Sequence, residues 1–228
     1  MAWPHEAAAA AATNSVIEES YRILRSRLDL SRLPKFSRDV TERVIQASAD
    51  FDYFTDLVCD EESLAEGVAA LAAGAPVVAD SPMVAAGITG SPVLCKIGEP
   101  LTQRLARTAS ITRAAAAVRL AFGEVGPGAV WVAGGGSAAL AEIISRRVEP
   151  AFVVGLPVGF VGAAEAKDAL RASGLRSVSN VSEKGGPVVA VAAFNALLQH
   201  AVAVTGSAAG WPPDGPPMAQ ADDDGAGW

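Results

Sequence analysis

The alternation of short β-prone runs with longer alanine-rich helical segments constrains the fold of this chain more than any other feature. The β-prone runs fall at residues 76–79, 93–97, 129–133, 152–156 and 176–181. Apolar strands separated by segments of helix length are typical of a parallel sheet that is covered on both faces. We therefore predict an α/β fold with three layers, α/β/α, and a mostly parallel sheet of about five strands.

The two ends of the chain differ in composition from its middle. Residues 1–14 are dominated by alanine, and residues 206–228 are rich in Gly, Pro and Asp. We predict disordered tails at residues 1–15 and 205–228, and one domain over residues 16–204. Within that domain, apolar residues at helical spacing predict helices at residues 17–28 and 39–54, with a break at Pro34.

Composition and charge argue against several classes of function. The net charge of -7 disfavours a nucleic-acid partner, because binding to phosphates needs clustered Lys and Arg. Cys59 and Cys95 have no zinc-site or disulfide-framework spacing. His5 and His200 are too few for a histidine-rich metal centre or a histidine-led triad. These features predict a protein of the reducing cytoplasm without a metal.

No long apolar segment predicts a membrane span. The nearest candidate, residues 186–204, is rich in alanine and contains Asn195, Gln199 and His200. The start of the chain also lacks a basic region followed by a hydrophobic stretch. We interpret residues 186–204 as a buried helix and expect a cytoplasmic protein with no membrane contact.

The loops that follow the predicted strands are rich in Gly and Ser. In parallel sheets, ligands bind beyond the carboxyl ends of the strands, where loop amides and helix N-termini converge. The loops in question are residues 80–89, 134–137, 157–162 and 182–187. We therefore predict a pocket at this edge, and its expected lining is Ser81, Met83, Ser137, Phe160 and Lys184.

The segment 134–139 matches the pattern G-x-G-x-x-A between a strand and a helix. A dinucleotide site would also need an acidic residue at the end of the next strand, but that strand ends in Gly155-Leu156-Pro157. A tight turn with Ser137 as the helix N-cap is a second interpretation. We favour a third one, in which the backbone amides of the turn form a cradle for an anion.

Other charged and glycine-rich segments each have a functional and a structural interpretation. Gly159 would let a ligand approach the backbone and Phe160 offers a flat apolar face, although both could serve only the turn. Lys184 beside Gly185 could hold a carboxylate or be a solvated loop. Arg113 lies on a predicted helix with Arg104, Arg107 and Arg119; one face of it could meet an anionic substrate, although arginines on helices mostly only solvate them. We interpret the acidic stretch at residues 50–62 as a solvated face.

Several of these segments together resemble the precorrin-8X methylmutase family of cobalamin biosynthesis. The resemblance is carried by Met-Val-Ala-Ala-Gly-Ile at 83–88, Thr-Arg-Ala at 112–114, Pro-Val-Gly-Phe-Val at 157–161, Glu-Ala-Lys at 165–167, Lys-Gly-Gly at 184–186 and Phe-Asn-Ala-Leu at 194–197. It spans about residues 16–200. It implies an α/β homodimer that moves one methyl group within a contracted tetrapyrrole ring, without a cofactor, to give hydrogenobyrinic acid or its cobalt-containing counterpart, cobyrinic acid.

The resemblance also implies a set of site residues. The catalytic histidine of the family corresponds to Gln46, which can hydrogen-bond but has no titratable proton near neutral pH. The substrate-binding candidates are Ser20, Ser81, Met83, Arg113, Ser137, Gly159, Phe160, Lys184 and Gly185. The chain also departs from the family at Gly135, Gly136 and Glu183.

Three functions remain open at this point. The first is a methylmutase that tolerates Gln46, and the second is a non-catalytic protein that binds a tetrapyrrole or corrinoid. The third is an enzyme repurposed for another substrate.

Overall fold

The computed structural model describes the backbone of residues 4–205, with side chains from Val16 onward. The helices are α1 (Pro4–Arg27), α2 (Lys35–Ser48), α3 (Tyr53–Asp56), α4 (Glu61–Ala72), α5 (Pro82–Gly87), α6 (Pro100–Thr108), α7 (Arg113–Val125), α8 (Ser137–Arg146), α9 (Ala163–Ala172) and α10 (Pro187–Thr205). The strands are β1 (Leu57–Cys59), β2 (Val77–Ala79), β3 (Val93–Leu94), β4 (Val130–Ala133), β5 (Phe152–Gly155) and β6 (Ser177–Asn180).

The strands form one mostly parallel sheet with the order β1-β6-β5-β4-β2-β3. Strands β2 to β6 pair in parallel, whereas β1 lies antiparallel to β6, with Leu57 opposite Asn180. The predicted α/β class is thus confirmed, and β1 is an additional edge strand. The helix predicted for residues 39–54 ends earlier, because Ala49 takes a left-handed conformation (φ 55°) that caps α2.

Alternate residues of the central strands point into two helical layers. Val130 and Val132 of β4 face a core that includes residues of α2, α4 and α10. Trp131 of the same strand faces a second core that includes residues of α7, α8 and α9. All four residues of β4 are buried, as expected for a strand covered on both faces.

Helix α10 is the central helix of the first layer. Of the residues that the structure describes, only this helix is long and apolar enough to cross a membrane, with a mean hydropathy of 1.7 over its most apolar window. It packs against α2, α4 and α5, and half of that window is buried inside the protein. This packing agrees with the interpretation of residues 186–204 as a buried helix.

The predicted tails lie at the limits of the described chain. Residues 4–15 belong to the backbone of α1, where a disordered tail was predicted. Alanine has the highest helix propensity of all residues, so a run without periodic large side chains is still compatible with a helix. Most of the tail predicted for residues 205–228 lies outside the described residues, apart from Thr205 at the end of α10.

Candidate functional site

The loops at the carboxyl edge of the sheet contact one another. The Gly159 amide donates a hydrogen bond to the Glu183 carbonyl (3.1 Å), and the Gly186 amide donates to the Leu156 carbonyl (2.8 Å). A Cβ atom placed on Gly135 would lie 3.1 Å from the Cβ of Ser81. The loops after β2 and β4 therefore touch, as do the loops after β5 and β6, and together they form the edge that the sequence predicts.

A cavity of ≈ 390 Å³ opens beside these loops, between α1, α2, α5 and α10. Its lining is Ile17, Arg43, Gln46, Ala47, Met83, Gly87, Pro187, Val188, Val191, Ala192 and Asn195. The walls are mostly apolar, with three polar side chains, Arg43, Gln46 and Asn195. Two of the predicted site residues, Gln46 and Met83, thus face the same cavity although α2 and α5 are far apart in sequence.

Two lining residues, Arg43 and Asn195, were not among the predicted site residues. Arg43 lies one helical turn before Gln46, and its guanidinium donates to the Tyr21 hydroxyl (3.2 Å). Among the described residues, Arg43 has no carboxylate within ion-pair distance, so its charge is available to an anionic ligand. Residues at i and i+3 lie on the same face of a helix, so the spacing of Arg43 and Gln46 could have identified Arg43 from the sequence.

The turn at residues 134–136, which was predicted to be an amide cradle, contacts one of the protein's own carboxylates. The Gly135 amide donates to Asp80 Oδ2 at 2.7 Å. Burial raises the pKa of Asp80, while the amides of Gly134 to Gly136 oppose that rise. Where a cradle for a ligand anion was predicted, the structure thus shows an amide hydrogen bond to an internal carboxylate. The N-cap of α8 is Gly136, so the alternative with Ser137 as the cap is wrong.

Lys184 is not a free cation at the pocket. Its Nζ lies 2.7 Å from Asp50 Oδ2 and 2.6 Å from Asp52 Oδ2. These two carboxylates raise the pKa of Lys184 further above its ordinary value. The ion pairs join the loop after β6 to the residues that follow α2, the helix that carries Gln46.

The acidic stretch at residues 50–62 is more than a solvated face, which corrects its sequence interpretation. Asp56 accepts hydrogen bonds from the amides of Val181 (3.1 Å) and Ser182 (2.7 Å). Glu61 accepts hydrogen bonds from the amides of Phe36 and Ser37, both at 2.9 Å. Several of these carboxylates therefore hold other segments in place.

None of the other predicted site residues lines this cavity. Ser81 caps α5 by accepting a hydrogen bond from the Val84 amide (3.3 Å). Phe160, which follows Gly159, is 95% exposed and gives the edge an apolar surface. Ser20 is half-buried on α1, one turn after Ile17. Arg113 is exposed at the start of α7, in the layer opposite to Gln46. The structure does not bring Arg113 into the cavity.

Neither cysteine is an activated nucleophile. Cys59 and Cys95 are both free. Burial raises the pKa of Cys59 to about 12 and also raises the pKa of Cys95. Among the described residues, no cluster of three His, Cys, Asp or Glu side chains has the arrangement of a metal site. The polar chemistry of the cavity therefore comes from amide and guanidinium groups.

Fold and cavity together define a ligand-binding α/β protein, with its pocket beside the carboxyl ends of parallel strands. Comparison with known proteins narrows this class. The family profile described as precorrin-8X methylmutase matches residues 15–200. The chain is 35% identical over 197 residues to the cobalt-precorrin-8 methylmutase of Methanocaldococcus jannaschii. The alignment covers 82% of this chain and 93% of that protein.

Two further comparisons agree. The chain is 35% identical over 198 residues to the precorrin-8X methylmutase of Sinorhizobium sp., and the alignment covers 82% of this chain and 94% of that protein. The solved structure of precorrin-8X methyl mutase from Thermus thermophilus has a TM-score of 0.76 and 30% identity, and covers 84% of this chain and 98% of that one. The chain belongs to the precorrin-8X methylmutase family.

Proposed function

We propose that this protein is an isomerase that moves a methyl group within the corrin ring during cobalamin biosynthesis. The observation that carries the proposal is the match of residues 15–200 to methylmutases, together with a cavity that Gln46 and Met83 line from two different helices. Relatives named for cobalt-precorrin-8 and for precorrin-8X are equally similar. The proposal therefore concerns the methyl migration that both names describe.

The cavity suits one part of a large, flat and anionic ligand. A corrin ring with its acetate and propionate arms is larger than ≈ 390 Å³, so it would extend over the neighbouring apolar surface. Met83 (68% exposed), Val188 (58%) and Phe160 (95%) offer that surface. In this arrangement Arg43 binds a carboxylate arm at the cavity, while the apolar side chains cover the ring.

Gln46 would act on the ring as a neutral hydrogen-bonding group. Its amide can donate and accept hydrogen bonds, but it cannot transfer a proton near neutral pH. Because the methyl group migrates within one molecule, holding the ring in a reactive geometry still accelerates the reaction. We therefore expect slow turnover, with orientation of the ring as the main contribution of the protein.

Incubation of the purified protein with precorrin-8X tests this function. We expect slow formation of hydrogenobyrinic acid, followed by its absorption spectrum, with a histidine-bearing relative as the reference. Gln46 specifically favours a second candidate, a protein that binds the tetrapyrrole without converting it. That candidate predicts binding of hydrogenobyrinic acid in a fluorescence titration and no turnover of precorrin-8X. Absence of binding in the same titration would contradict both and leave a repurposed enzyme.

We further propose that the protein is a cytoplasmic homodimer, as its sequence resemblance implies. The apolar edge supports this proposal, since Phe160 and Val161 are 95% and 90% exposed in a single chain. Light scattering at micromolar concentration is expected to give twice the mass of the 23.2 kDa chain. A monomeric mass would contradict the dimer.

A further inference from the structure

A buried lysine outside the cavity organises the loop after β6. Lys167 on α9 is completely buried, with a relative exposure of 0%. Its Nζ donates hydrogen bonds to Asn180 Oδ1 (2.8 Å), to the Lys184 carbonyl (2.8 Å) and to the Ser182 carbonyl. A fully buried lysine is rare unless its donors are satisfied, so this arrangement is a specific one.

The three acceptors match the charged form of the side chain. An ammonium group has three N–H donors, whereas a neutral amine has only two and presents a lone pair instead. Loss of the proton would leave one of the three acceptors without its donor. A buried carbonyl or amide oxygen without a donor is unfavourable, so the 180–184 segment is held as observed only while Lys167 is charged.

Asp56 holds the same segment from the opposite side. Its Oδ1 accepts hydrogen bonds from the amides of Val181 and Ser182, and its Oδ2 accepts one from Asn180 Nδ2 at 2.7 Å. The segment is thus fixed through its carbonyls by a buried cation and through its amides by a carboxylate. No carboxylate among the described residues contacts the Lys167 ammonium directly.

The segment leads directly into the wall of the cavity. Gly186 is held by its amide hydrogen bond to the carbonyl of Leu156, the residue that follows β5. The next two residues, Pro187 and Val188, begin α10 and line the cavity with Gln46. Lys184 reaches back to Asp50 and Asp52, just beyond the end of α2. The 180–184 segment is therefore connected to the start of α10 and to the residues that follow α2, two helices that line the cavity.

We propose that Lys167 is a positioning residue for the ligand cavity, and that loss of its proton loosens the cavity wall at Pro187 and Val188 and weakens ligand binding. This proposal rests on the proposed function only for the identity of the ligand. Lys167 does not touch the cavity, so its effect reaches the ligand through the segment that it holds.

Burial places the titration of Lys167 within an accessible pH range. Burial lowers the pKa of Lys167 to about 8; Asp56 and Glu183 oppose this shift and Arg171 adds to it. The ammonium of Lys184, also in the segment, points away to its two aspartates. Tyr53 does not titrate in the same range, because burial raises its pKa to about 12. The carboxylate arms of the ligand stay ionised throughout.

Titration of the protein with hydrogenobyrinic acid at about pH 7 and about pH 9.5 tests the proposal. For the wild type, we expect the Kd to rise about tenfold between the two pH values. Lys167→Met is expected to raise the Kd about tenfold at pH 7 and to remove most of the pH dependence. Lys167→Arg stays charged at both pH values, so its Kd should not rise between them, whatever affinity its larger and planar group gives. Lys96→Met, which removes a lysine paired with Glu99 and Glu124, is the matched control and should keep the wild-type pattern.

Amide hydrogen exchange of the ligand-free protein separates the role of Lys167 from the identity of the ligand. In Lys167→Met, the amides of residues 181–186 and of Val188 should exchange faster than in the wild type, while those of α7 should not change. Unchanged exchange at residues 181–186 and Val188 overturns the positioning role, and so does a pH dependence of the Kd that Lys167→Arg retains. Failure of the wild type to bind hydrogenobyrinic acid at either pH overturns the proposed function instead. If Lys167→Met does not fold, the wild type and Lys167→Arg still decide the question.

Discussion

Replacement of Gln46 by histidine is expected to raise the rate of methyl migration by about 100-fold or more, since a positioned proton donor typically contributes about 100- to 10,000-fold. Gln46 already lines the cavity from α2, so an imidazole at this position would face the same ligand. The measurement is kcat for precorrin-8X in the wild type and in Gln46→His under identical conditions.

The pH dependence of the variant identifies the group responsible. An imidazolium that donates a proton is active below its pKa, which is about 6.5 when unperturbed. The added rate should therefore be present at low pH and disappear as the pH rises through about 6.5. The wild type should lack this transition, because glutamine does not titrate. Its activity should instead follow the ligand affinity that Lys167 controls.

The structure provides a matched control for Gln46→His. Gln199 on α10 is exposed and does not line the cavity of Gln46. Gln199→His therefore adds the same side chain without placing it at the ligand. Gln46 is only half-buried beside an open cavity, so the two substitutions should each change the stability by less than about 0.5 kcal/mol. Equal turnover in the wild type and Gln46→His would mean that proton transfer at this position does not limit the reaction.

The parts of the fold that follow local rules could be predicted from the sequence. Strands β4 and β5 were expected at residues 129–133 and 152–156 and lie at Val130–Ala133 and Phe152–Gly155. These apolar runs are buried on both faces, so their composition alone marks them as central strands. Strand β1 was missed, because three residues beside an acidic stretch give too short a pattern and their pairing partner lies at residues 178–180.

The parts of the site that depend on distant residues could not be predicted in the same way. The sequence indicates an amide cradle at residues 134–136, but Asp80, whose carboxylate accepts a hydrogen bond from this turn, is 55 positions from Gly135. The glycines beside Lys184 predict a lysine that could bind a carboxylate of the ligand. Its actual partners, Asp50 and Asp52, are 134 and 132 positions away in the sequence. The local sequence is the same whether a charged side chain is isolated or paired with a distant partner, so it does not distinguish the two cases.

Gly185→Ala is expected to destabilise the protein by about 3 kcal/mol, because two costs of about 1–3 kcal/mol each combine at this position. The first cost is conformational, since Gly185 has φ 145°, which side chains with a Cβ rarely adopt. The second is a clash, because the new Cβ would lie 2.6 Å from the Pro157 carbonyl oxygen and also too close to that of Leu156. Urea denaturation of the wild type and the variant measures the free energy of unfolding.

Gly174→Ala separates the two costs. Gly174 also has a positive φ, 72°, but a Cβ placed there meets no atom within 4 Å. This variant should lose only about 1 kcal/mol from backbone strain and the changed entropy of the unfolded chain. The difference of about 2 kcal/mol between the two variants then reports the contact between the loops after β5 and β6 together with the more strained backbone of Gly185. Equal losses would show that these carbonyls give way, and glycine at position 185 would then need another explanation, such as the close approach of a ligand that its sequence context predicts.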